Sequence, residues 1–148
     1  MNFINLKQFE HCDIEINSRQ YCYDLHNNAN FIELRYFLEK NEVNLVWNYP
    51  SERFLNAKEW ADNKEYLIRN DVVDLNIRKI ALIFENVSIL KVDPRDIEIP
   101  LKENKTLSAI SLYDENFKTD CVGFDFISGL KIIIKAESVY FDRNYKFH

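Results

Sequence analysis

His11, Cys12, Cys22 and His26 are the one grouping in the chain with the residue types of a metal site. Zinc takes four imidazole or thiolate ligands in a tetrahedron, and ligand pairs work when one turn presents both. Cys22 and His26 can share a strand face, but the adjacent His11 and Cys12 leave a strand on opposite faces. Buried cysteines and surface histidines are the reading that follows, so neither a metal nor another cofactor is expected. The same residue types can also make a nucleophile, with Cys22 or Cys121 beside a histidine. A reactive thiol needs an activating surrounding, and the flanks Tyr21-Cys22-Tyr23 and Asp120-Cys121-Val122-Gly123 supply none. There is no nucleophile elbow and no glycine-rich phosphate loop. Acidic pairs stand at Asp71/Asp74, Asp93/Asp96 and Glu137/Asp142, but with 24 acids in 148 residues such pairs arise by chance. General acid–base work needs two carboxylates facing one cavity, and solvated loops explain these three pairs.

The elements that must carry these residues read as strands. Lys79 to Val92, KIALIFENVSILKV, is the most apolar stretch. Ile80, Leu82 and Phe84 point one way and Ala81 and Ile83 the other, so both faces are covered and the strand is interior. Glu85-Asn86 interrupts it as a turn or bulge, and Asp93-Pro94 ends it. The alternation predicts Val87 and Ile89 on one face and Ser88, Leu90 and Val92 on the other. The phase of the apolar residues slips at Arg78-Lys79, which marks this stretch as a bent strand joining two hairpins.

The first hairpin runs through Phe31–Leu38, where Ile32, Leu34, Tyr36 and Leu38 alternate with Glu33, Arg35 and Phe37, and Val43–Tyr49, where Val43, Leu45, Trp47 and Tyr49 alternate with Asn44, Val46 and Asn48, giving one strongly apolar face and one mixed. The second runs through Cys121–Ile127 and Leu130–Ala136 around Ser128-Gly129, with Val139–Phe141 as a further edge segment. Shorter strands are expected at Asp13–Asn17, Gln20–His26, Asp71–Ile77 and Thr106–Tyr113, and residues 1–12 fit a short helix or a leading strand. Pro50 to Asn70 has a different texture, rich in Glu, Lys, Ala and Leu, and Ser51 is placed to cap a helix over about 51–62. The fold class expected is mainly β (α+β), an antiparallel β-sandwich or curled sheet with that one helix, in a single globular domain spanning 1–148.

Composition narrows the function. Aromatics are abundant, with 11 Phe, 8 Tyr and 2 Trp, while Gly and Pro are scarce; that balance favours sheets. The net charge is −5 and no basic run is free of acids, which disfavours direct nucleic-acid binding. The N-terminus lacks an apolar signal core and no segment approaches membrane-spanning length. Three cysteines do not make a disulfide framework. A cytoplasmic chain with reduced thiols is expected.

Phe31 to Tyr49 followed by Ile80, Leu82, Phe84, Asn86 and Val87 is similar to the hairpin and central strand of small acidic immunity-type proteins of bacterial polymorphic toxin systems. The resemblance covers under half of the chain and rests on core positions, so it transfers no functional residue. It implies inhibition by stoichiometric binding to a toxin. Two functions are weighed. In the first, a non-enzymatic protein-binding module meets a basic toxin domain through acids with aromatics nearby: Glu52, Glu59, Trp60, Asp93, Asp96, Asp114 and Glu115. In the second, a small-molecule binder or simple enzyme uses a pocket between sheet and helix, lined by Tyr36, Trp47, Tyr49 and Trp60, with His26 as the acid–base group. Such a set of aromatics is more often the core packing of a helix onto a sheet. Self-association through an exposed edge strand is a third expectation.

Overall fold

The structure is a computed structural model that describes residues 1–17, 22–49, 78–112 and 121–146. The helix expected over 51–62 and the strand expected at Asp71–Ile77 lie outside these residues. Among the described residues the chain is mainly β. Its elements are β1 (Asn2–Phe3), β2 (Leu6–Glu10), β3 (Asp13–Ile16), β4 (Cys22–Asp24), β5 (Asn30–Phe37), β6 (Glu42–Tyr49), β7 (Arg78–Asp93), a 3-10 helix (Leu101–Lys105), β8 (Leu107–Ser111), β9 (Cys121–Phe126) and β10 (Lys131–Asp142).

Seven strands form one sheet in the order β5-β6-β7-β10-β9-β8, with β1 beside β10; β2-β3-β4 form a second, smaller sheet. All pairings are antiparallel except β1 with β10, which is parallel through Asn2↔Ser138 and Phe3↔Val139. The large sheet curls. Phe31 of β5 and Phe126 of β9 are far apart in strand order, yet their rings lie 4.7 Å apart.

The core fills the concave face. Leu6, Phe9, Ile14, Ile16, Tyr23 and Leu25 come from the small sheet and its turn. They meet Val43, Leu45, Trp47, Ile80, Leu82, Phe84, Phe124, Ile132, Ile134 and Val139 of the large one. Phe124 is the hub of the ring contacts, 6.1–6.3 Å from Phe84, Trp47 and Phe9. Each fully buried side chain of this size contributes about 1.5–3 kcal/mol of transfer free energy.

β7 is the bent strand that the sequence predicts. Its first half pairs with β6 from Arg78 to Glu85, and nearly its whole length pairs with β10, so it joins the two hairpins. The two apolar faces from Ile80 to Phe84 are as read: Ile80, Leu82 and Phe84 enter the main core, while Ala81 and Ile83 are buried on the outer face. Beyond Phe84 the alternation departs from expectation. Asn86 takes a left-handed backbone with φ 53°, and the register with β10 shifts between Lys135 and Ala136, leaving Ser88 as the extra residue. Val87 and Leu90 therefore both pack on the main core, and Ile89 does not share the core face with Val87.

Val139–Phe141 is not a separate edge segment but the second half of β10, interior between β7 and β1. The phase reversal opposite Asn86 lets both halves of β10 face the core, with Ile132, Ile134 and Ala136 before it and Val139 and Phe141 after it. In β5 a bulge between Phe31 and Glu33 sends Ile32 outward, so Phe31 and Leu34 pack on the core while Ile32, Tyr36 and Leu38 are exposed.

Candidate interaction surface

The outer face of the large sheet is built from the residues that alternate with the core. Antiparallel register places Glu42 of β6 directly opposite Glu85 of β7. One step along, Asn44 lies opposite Ile83, and Ile83 opposite Tyr140 of β10. The segment after β10 folds back over this face: the Tyr145 backbone N–H donates to Lys79 O at 2.9 Å, and Asn44 Nδ2 donates to the Tyr145 hydroxyl at 3.1 Å. Val46, Ala81, Ile83 and Tyr145 make a small buried cluster there, with Tyr140 half-buried against it.

Two features of this face are energetically unsatisfied. Like charges directly opposite in a sheet repel, and neither Glu42 nor Glu85 has an ion pair among the described residues. Asn44 is 3% exposed, and its Oδ1 is a buried acceptor with no hydrogen-bond partner; such an atom carries a desolvation cost of about 1–3 kcal/mol. Tyr140 lies beside both. Burial pushes its phenol up, and the negative charges of Glu42, Glu85 and Asp142 push it further the same way. Two carboxylates with a tyrosine ring between strands suit a guanidinium or ammonium group, which both carboxylates attract and the ring face accepts. The pairing is invisible without the strand register, since Glu42 and Glu85 are 43 positions apart in the chain.

The acids expected at a partner surface are divided. Asp93 and Asp96 lie at the end of β7 and in the loop after it. Asp93 Oδ1 is 3.9 Å from Lys91 Nζ. Asp96 holds its own turn, its Oδ1 accepting from Glu98 N at 3.0 Å and its N–H donating to Ser128 O at 2.7 Å. Around them stand the exposed apolar residues Val92, Ile97, Leu101 and Ile127. Glu52, Glu59, Trp60, Asp114 and Glu115 lie outside the described residues, as do Asp71 and Asp74. Glu137 and Asp142 do not act as a pair: Glu137 Oε2 accepts from Asn86 Nδ2 at 2.8 Å, and Asp142 Oδ1 from Asn144 N at 2.9 Å.

The expected aromatic pocket does not assemble from the residues described. Trp47 has no exposed surface and packs edge-on to Phe31 at 5.2 Å. Tyr49 is buried against Tyr23 at 5.2 Å, and burial drives its phenol far above the ordinary range despite hydrogen bonds to the Asn28 side chain and the Asp24 backbone. Tyr36 is exposed and donates to Asn41 Oδ1 at 3.1 Å. His26 Nδ1 donates to Leu107 O at 2.6 Å. An open cleft of about 560 Å³ exists elsewhere, lined by Asn5, Ile16, Asn17 and Phe141 to Asn144, and it contains none of those residues.

The histidine–cysteine group is partly brought together. His26 and Cys12 reach the same carbonyl, Leu107 O, with Cys12 Sγ donating at 3.8 Å. The Cys12 thiol is pushed up from 9.0 to about 11, first by burial, then by Asp24 and Asp13. It is therefore held protonated at neutral pH, the opposite of what a nucleophile needs. No group of three or more His, Cys, Asp or Glu suited to a metal ion occurs among the described residues. Cys12 and Cys121 are both buried. No helix of the described residues is long and apolar enough to cross a membrane. Comparison with protein-family models, with curated proteins and with solved structures finds no match for the chain.

Proposed function

We propose that the protein acts in the cytoplasm by binding another protein without catalysis, as an immunity-type inhibitor that masks a basic partner such as a toxin domain. The observation that carries this reading is the unpaired Glu42–Glu85 couple beside Tyr140, a half-exposed site whose repulsion a partner's arginine or lysine relieves. The overall charge of −5 steers a basic partner toward it. The exposed apolar residues around Asp93 and Asp96 supply the kind of contact area that anchors an interface. The test is a titration with the product of the adjacent gene. The expected result is stoichiometric binding that weakens about tenfold or more in Glu42→Gln/Glu85→Gln, in the range of a lost desolvated charge pair. Binding that is unchanged in the double variant removes this site from the proposal. The cleft at Asn5 and Phe141 supports a second reading, small-molecule binding, which a thermal-shift screen of metabolites tests directly.

A further inference from the structure

The acid couple on the outer face has the surroundings to choose between the two basic side chains. Glu42 and Glu85 stand directly opposite one another, with an aromatic on each flank. Phe37 of β5 is the register partner of Glu42. On the other flank Ser138 of β10 is the partner of Glu85, and Tyr140 is the diagonal neighbour on the same face. Nearby cations among the described residues are committed elsewhere. Lys40 Nζ is seated over the Phe37 ring, 5.5 Å from its centroid. Arg35, opposite Asn44 on β5, lies 2.7 Å from Glu33 Oε1.

Asn44 adds an acceptor to this group. It lies two residues along β6 from Glu42, on the same face, and is 3% exposed with Oδ1 lacking a hydrogen-bond partner. Its Nδ2 is taken by the Tyr145 hydroxyl, and the Tyr145 backbone is anchored at Lys79, on the far side of Ile83 from Glu85. The oxygen and nitrogen of a planar amide diverge, so Oδ1 faces away from Tyr145, on the side of the acid couple. We infer that this site, taken as the partner-binding site proposed above, selects arginine over lysine. The guanidinium lies across Glu42 and Glu85, stacks on Tyr140 and turns its remaining edge to Asn44 Oδ1. Two carboxylates and an amide oxygen present five acceptor atoms; a guanidinium has five donors in a fixed plane, an ammonium three about a point. The flat cation also covers the ring, where arginine is the commoner partner. Lysine would supply the charge but leave the buried oxygen unpaired.

The test titrates N-acetyl-arginine methylamide and its lysine counterpart into isotope-labelled full-length protein at constant ionic strength, read by amide NMR. The arginine probe is expected to shift the Glu42, Asn44, Glu85 and Tyr140 amides and the Asn44 side-chain amide. Its dissociation constant is expected to be about threefold or more below that of the lysine probe. Tyr140→Phe keeps the ring and is expected to keep the preference, whereas Tyr140→Leu is expected to lower it about twofold. Equal affinity for the two probes overturns the inference, as do shifts that bypass Asn44 or a preference unaltered by Tyr140→Leu. Glu42→Gln/Glu85→Gln separates this failure from failure of the site itself. Equal binding that the double variant abolishes removes the arginine preference and leaves the acid couple as a cation site. Binding of both probes that survives the double variant removes the couple from both proposals.

Discussion

β8 and β5 close the same sheet at opposite ends, but they solve the edge problem in different ways. β8 is covered within the chain. The β2–β3 turn holds His11 at φ 55°, which turns its carbonyl onto Ile110 N–H, and two further donors converge on Leu107 O. β5 carries alternating charges and protruding apolar side chains and has no such cover among the described residues. An edge sealed by a turn is part of the fold, whereas an edge left open is available to other chains. The contrast teaches that the small sheet has two roles here: it fills the concave core, and it terminates one end of the ladder.

The contrast can be broken by substitution. Leu107, on the sealed edge, is fully buried, so Leu107→Ala is expected to cost about 2–5 kcal/mol in urea unfolding. Tyr36→Ala on the open edge is expected to cost below about 1 kcal/mol. Phe84→Ala, midway between the edges in β7, is expected at about 3–5 kcal/mol; a loss below about 1 kcal/mol would mean that the core is misplaced. Asn41 occupies φ 50° at the β5–β6 tip, and its Nδ2 donates to Val87 O at 2.9 Å. Asn41→Ala should cost about 1–2 kcal/mol without altering the β8 side.

Exchange and titration sharpen the comparison further. The Ile110 amide should exchange with the global unfolding equilibrium, roughly tenfold or more slowly than those β5 amides that do not donate to β6. Equal rates in dilute protein would erase the distinction between the edges. On the sealed side, the Cys12 thiol sits at about 11 against an ordinary 9.0. Below pH 9 both folded and unfolded thiols are neutral and the stabilising difference is fully present. As the pH rises from 9 toward 11 the unfolded thiol ionises first, so stability falls across that window. Cys12→Ala should flatten this decline relative to wild type in melts at pH 8, 9, 10 and 11. The smallest effect lies on the outer face: Glu42→Gln or Glu85→Gln should gain about 0.2–1 kcal/mol by relieving repulsion, while weakening any basic partner.

Much of the strand layout was legible because period-2 alternation survives wherever the ladder is regular. Val43, Leu45, Trp47 and Tyr49 enter the core as their spacing predicts, and so do Val122, Phe124 and Phe126. Alternation fails wherever a strand gains a residue. The bulges near Ile32 and Ser88 and the bend at Asn86–Glu137 each reverse the phase, which misassigned Ile89 and split Val139–Phe141 from β10. Asn86 was the one local signal of such a reversal. The candidate surface was not legible, because opposition of Glu42 and Glu85 is a property of register between strands rather than of either strand. Tyr36, Trp47 and Tyr49 looked like a pocket because aromatic content cannot separate a lining from a core.

Asn5 gives the fold a consequence in time. Its side-chain amide donates to Phe141 O and accepts from Phe141 N–H, both at 2.8 Å, across 136 residues of sequence. It stands in for a peptide unit and extends the parallel pairing of β1 into β10. The first strand therefore waits for the last: during synthesis the nascent chain can form the β5–β6 hairpin early, but β1 has no ladder to join until β10 has been made. Folding dominated by such distant pairings is slow. The period in which β7 lies uncovered along its β10 side is when the chain is most exposed to misassembly on the ribosome.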